Sequence, residues 1–93
     1  MRKSDCTSVS EKVFWLMLDY RWWTFWQLQE AIKDHFGGKF YGEPTISAAI
    51  REIRKKDFRM NHGIPNKIPD PVLKRRLSNG SGYQYSLDKA MRS

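Results

Sequence analysis

Pro44-Thr45-Ile46-Ser47-Ala48-Ala49-Ile50-Arg51-Glu52-Ile53-Arg54-Lys55-Lys56 carries two different faces in one short stretch. Ile46, Ala49, Ile50 and Ile53 recur with the period of an α-helix and form a narrow aliphatic stripe. Pro44 suits the first turn of such a helix, where its missing N–H costs nothing. The spacing predicts a helix over about 44–56. The side opposite the stripe holds Ala48, Arg51 and Lys55, flanked by Ser47 and Arg54. One side is made to pack on a core, and the other offers small residues and cations.

On the C-terminal side, residues 57–71 show no period and contain Gly63-Ile64-Pro65, Ile68-Pro69 and Pro71, which are loop signals. Phe58, Met60, Ile64 and Ile68 are candidates to pin this long loop to the core. Beyond it, Val72-Leu73-Lys74-Arg75-Arg76-Leu77 and Tyr83-Gln84-Tyr85-Ser86-Leu87 flank Ser78-Asn79-Gly80-Ser81-Gly82. Two strand-like runs around five turn-forming residues predict a β-hairpin. Residues in a strand alternate between faces, so Lys74 and Arg76 share one and Arg75 points with Leu73 and Leu77.

Two capping boxes stand on the N-terminal side. Ser8-Val9-Ser10-Glu11 opens a first helix of about 9–20, and Thr24-Phe25-Trp26-Gln27 opens a second of about 25–36 that Gly37-Gly38 ends. Arg21-Trp22-Trp23 reads as a short extended piece between them. The first helix is apolar all round: Phe14, Trp15 and Leu18 lie opposite Val13, Leu16 and Met17. Such a helix is normally covered on both sides. The Trp22–Trp26 segment or a second subunit is expected to cover this face.

Ninety-three residues fit one domain. The boundaries expected are a flexible N-terminal tail over 1–7, one domain over 8–88 and a C-terminal tail over 89–93. No apolar run reaches the ~18 residues that span a bilayer, and residues 1–10 lack a secretory signal's apolar stretch. The lone Cys6 cannot form an internal disulfide, so the chain reads as cytoplasmic, with no membrane partner. Formal net charge is +7. Residues 1–36 hold five basic and five acidic side chains, whereas residues 37–93 hold twelve and five. That asymmetry suggests a polyanion partner. There is no P-loop, no dinucleotide-binding glycine motif and no His-Glu-x-x-His, so an enzyme is not expected. Neither His35 nor His62 belongs to a set at zinc spacing, so no metal or cofactor is implied.

Helix, extended piece, helix, helix, hairpin: in this order the sequence resembles the winged helix-turn-helix DNA-binding domains, most closely their small bacterial and bacteriophage members. The resemblance rests on 24–32 for the second helix, 45–55 for the third, and 74–77 with 83–87 for the wing. It implies an α+β fold, a three-helix winged helix-turn-helix with a C-terminal β-hairpin wing. It also implies sequence-specific binding of double-stranded DNA by a small transcriptional regulator of phage or prophage type, with the third helix in the major groove and the wing on the backbone. The connector before the third helix is longer than in a plain helix-turn-helix, and residues 57–71 are an insertion before the wing.

Elementary geometry assigns roles beside the resemblance. A helix fits a major groove about 12 Å wide. Ser47 and Ala48 are small enough for close approach, and Arg51 is long enough to reach a guanine edge bidentately. Arg54 and Lys55 are expected on phosphates, with Thr45 as a cap or first-turn hydroxyl. On the wing, Lys74 and Arg76 are expected on the backbone, with Asn79 and Ser81 at the tip. The bland alternatives are a solvated helix face and charges that protect an edge strand from aggregation. A rival from another class is a protein-interaction module, an antirepressor or assembly adaptor, that uses the Phe14/Trp15/Leu18 face. The same aromatic-rich helix is the candidate seam of a homodimer.

Overall fold

Residues 2–37, 39–80 and 82–92 are described by a computed structural model of the chain. Among them the fold is α+β, with four α-helices and an antiparallel hairpin. The helices are α1 (Val9–Met17), α2 (Phe25–Phe36), α3 (Glu43–Arg54) and α4 (Lys56–Asn61), and the strands are β1 (Val72–Arg76) and β2 (Tyr83–Leu87). Single 3-10 turns at Lys3–Asp5 and Lys89–Arg92 occupy the stretches expected as tails.

Both capping boxes form. The Ser8 hydroxyl accepts from the Glu11 amide at 3.1 Å, and Glu11 Oε1 accepts from the Ser8 amide at 3.2 Å. Thr24 and Gln27 make the same exchange at 3.1 and 3.0 Å. Gly37, at φ 76°, lets the chain leave α2 by a conformation that side chains resist. Helix α1 ends at Met17, short of the expected residue 20. The cause is local: the Asp19 carboxylate accepts from the Arg21 amide (2.9 Å), Arg21 Nε (2.7 Å) and the Trp23 indole (3.1 Å), organising a turn that competes with the helix. The turn delivers Trp23 to the free edge of β2, where it makes a single antiparallel bridge with Tyr85. Its amide donates to the Tyr85 carbonyl at 2.8 Å, and the Tyr85 amide donates back at 2.7 Å.

The core gathers around α3, which touches α1, α2, α4 and β1. Its aliphatic stripe, Ile46, Ala49, Ile50 and Ile53, is buried as expected, against Val13 and Met17 of α1, Leu28 and Ile32 of α2, and Val72 and Leu87 of the hairpin.

The segment expected as an unbroken loop begins as a helix. Six residues, Lys56–Asn61, are too few to display a period, so α4 left no pattern to read. Phe58, Ile64 and Ile68 are buried anchors, whereas Met60 is 65% exposed and pins nothing. Arg59 organises the rest of the segment: its guanidinium donates to the carbonyl oxygens of Pro65 (3.0 Å), Ile68 and Pro69 (3.5 Å).

Helix α4 also answers what covers the second face of α1. Phe14 is 5% exposed and meets the Phe58 ring edge-on at 5.4 Å and the His62 ring at 5.8 Å. Trp15 packs edge-on against His35 and Phe36 at the end of α2, at 5.4 and 5.7 Å, and Leu18 is half-buried against the core. Phe14 is thus covered by α4 and Trp15 is flanked by the end of α2, whereas Trp15 and Leu18 stay half-buried.

Across this contact His62 Nε2 lies 3.2 Å from Glu11 Oε2, and His62 Nδ1 lies 2.9 Å from the Phe58 carbonyl oxygen. Hydrogen bonds from Thr7, then from His62, hold the Glu11 carboxyl down from 4.5 to about 2. A depressed acid stabilises the fold above its unfolded value, and the gain is lost as pH falls through the folded one. The melting temperature is therefore expected to decline as pH falls from about 4.5 toward 2, with a flatter profile for Glu11→Gln. Parallel profiles in thermal melts would refute this.

Candidate nucleic-acid interface

Burying the aliphatic stripe of α3 leaves Thr45, Ala48, Arg51 and Lys55 exposed on the other side. Gly42 is the residue that caps α3, and Thr45 lies in the first turn. Thr45 and Ala48 also line a shallow groove shared with Ser8 and Ser10 at the start of α1 and with Asn61. Arg51 makes no hydrogen bond or ion pair among the described residues. Lys55 Nζ lies 3.0 Å from Glu52 Oε2, in an exposed pair that holds it only loosely.

Ser47 and Arg54 are half-buried on the flank of α3. Arg54, expected on a phosphate, is engaged inside the molecule. Its Nε lies 3.1 Å from Asp70 Oδ1, and its Nη2 donates to the Val72 carbonyl at 3.3 Å. Asp70 Oδ1 in turn accepts from the Val72 amide at 3.0 Å. The last turn of α3 is thus tied to the root of the hairpin through Arg54.

In the hairpin, Val72 pairs with Leu87, Lys74 with Tyr85 and Arg76 with Tyr83. Paired residues share a face, so the surface carrying Lys74 and Arg76 starts buried at Val72 and Leu87 and becomes exposed toward the tip. Lys74 Nζ lies 4.1 Å from the Tyr83 ring centroid, and the Arg76 guanidinium lies 5.9 Å from it. At the tip Asn79 is exposed, and Gly80 (φ 81°) and Gly82 (φ 101°) make the turn; Ser81 lies outside the described residues. Arg75 faces the other way. It lies 4.2 Å over the Trp22 ring and donates from Nε to Gln84 Oε1 at 2.9 Å. Strand alternation separated Arg75 from Lys74 and Arg76, but nothing in the sequence linked it to Trp22.

The structure therefore brings Thr45, Ala48, Arg51 and Lys55 onto one face of α3 and ties it to a hairpin carrying Lys74 and Arg76. Among the described residues there is no group of three His, Cys, Asp or Glu side chains that could hold a metal ion, and no helix is long and apolar enough to cross a membrane. Comparison with protein-family models, with curated proteins and with solved structures finds no match to this chain.

Proposed function

We propose that the chain is a winged helix-turn-helix domain that binds double-stranded DNA with sequence preference, as a small transcriptional regulator. The observation that carries this reading is the tie through Arg54. It joins a helix whose outer face presents Arg51 without a partner among the described residues to a hairpin whose cations stand on an exposed surface. Arg51 reads bases from the major groove, with Ser47 and Ala48 permitting close approach. Lys55, Lys74 and Arg76 neutralise phosphates, and Asn79 meets the backbone from the tip. The regulatory role, with its phage or prophage setting, rests on the sequence resemblance alone.

The three phosphate-neutralising cations of α3 and the hairpin, Lys55, Lys74 and Arg76, contribute a slope of about −3 in log K against log salt. Fluorescence anisotropy with a labelled duplex, titrated at several salt concentrations, measures it. A binding constant unchanged between low and high salt would falsify the reading.

A further inference from the structure

Three lysines from separate parts of the chain converge on two aromatic rings. Lys12 of α1 holds Nζ 5.4 Å from the Phe36 centroid and 5.9 Å from that of Tyr41. Lys3 lies 5.7 Å from Phe36, and Lys39 lies 5.4 Å from Tyr41. Among the described residues none of the three ammonium groups is in an ion pair with a carboxylate. A cation over a ring gains about 0.5–1 kcal/mol at an exposed site, and the ring does nothing to cancel repulsion between neighbouring cations. An anion placed among them does.

The location gives the anion its identity. Tyr41 stands two residues before α3, and its carbonyl is fixed by Nε2 of the buried Gln29 at 2.9 Å. Ser8 and Ser10, at the start of the helix that carries Lys12, line the groove shared with Thr45 and Ala48. The lysines thus gather near the N-terminal end of α3, whereas the hairpin is tied to its C-terminal end. A twelve-residue helix is about 18 Å long, more than the ~12 Å between the backbones that wall a major groove. Cations at both ends of such a helix can reach phosphates on both walls.

We propose that Lys3, Lys12 and Lys39 form a second phosphate-binding arm, at the end of α3 away from the hairpin. The proposal rests on the DNA-binding reading of α3. The counts of residues 1–36 balance to zero and hide the arm, because the fold brings Lys3 and Lys12 beside Lys39.

The test is the salt dependence of duplex binding by the full chain, with circular dichroism melts alongside. The triple variant K3Q/K12Q/K39Q is expected to flatten the log–log slope by about 2–3, and K3R/K12R/K39R to keep it. If the glutamine triple melts early, K3Q and K39Q singly, each at an exposed position, are expected to flatten it by about 0.9 each. A wild-type protein that binds steeply, with glutamine variants of the same slope, overturns the arm and leaves the role of α3 standing. A wild-type protein with no salt-dependent binding to duplex overturns both.

Discussion

Arg59→Leu is expected to lower the unfolding free energy by about 3 kcal/mol, because carbonyls left without a donor in partly buried surroundings cost about 1–3 kcal/mol each before water reaches any of them. The guanidinium serves the carbonyls of Pro65, Ile68 and Pro69 together, and Arg59 is held in place by α4. The guanidinium spreads its donors across a planar fork, whereas an ammonium brings three donors to one point, so Arg59→Lys is expected to recover little. Urea unfolding should show a lower midpoint at an unchanged slope. The damage is expected to extend to DNA affinity, since the same segment places Asp70 against Arg54 and sets the Pro71 carbonyl 2.9 Å from the Asp88 amide. A midpoint within a few tenths of a molar of the parent would mean that the segment holds its shape by its buried side chains alone.

Arg51→Ala is expected to remove about 1–3 kcal/mol of discrimination between the preferred duplex and a scrambled one, a loss of roughly 5- to 150-fold in their affinity ratio. Affinity for random DNA should fall much less. Lys74→Ala is expected to do the reverse, weakening every sequence alike and flattening the salt slope by about 0.9. The contrast follows from placement: Arg51 stands on the outer face of α3, one turn beyond Ser47 and Ala48, whereas Lys74 lies beside Tyr83 on a twisted strand. Competition binding with the two variants measures both quantities. Identical losses would show that the helix and the hairpin do not divide the labour.

What the residues disclosed in advance depended on how local the cause was. Ser8 with Glu11, Thr24 with Gln27, and the stripe from Ile46 to Ile53 act within one or two turns, and each formed as its spacing implied. The hairpin was equally plain, since Asn79, Gly80 and Gly82 lie between two alternating runs. The early end of α1 was not legible, because it depends on one carboxylate, Asp19, gathering three donors from the following turn. Helix α4 was missed for its brevity, and with it the cover over Phe14, so the aromatic face of α1 was assigned to the Trp22–Trp26 segment or a second subunit. Arg54 shows the same limit at the candidate interface. Periodicity placed it on the flank of α3 but could not reveal that Asp70, sixteen residues on, would claim it.

Trp22 and Trp23 stand side by side yet report on different strands. The first lies beneath Arg75 of β1, and the backbone of the second is hydrogen-bonded to Tyr85 of β2. Any swing of the hairpin relative to the helices must slide a charge across one indole or strain the main chain of the other. With Trp15 and Trp26 replaced by phenylalanine, the emission of this pair would therefore register any such displacement with no dye attached.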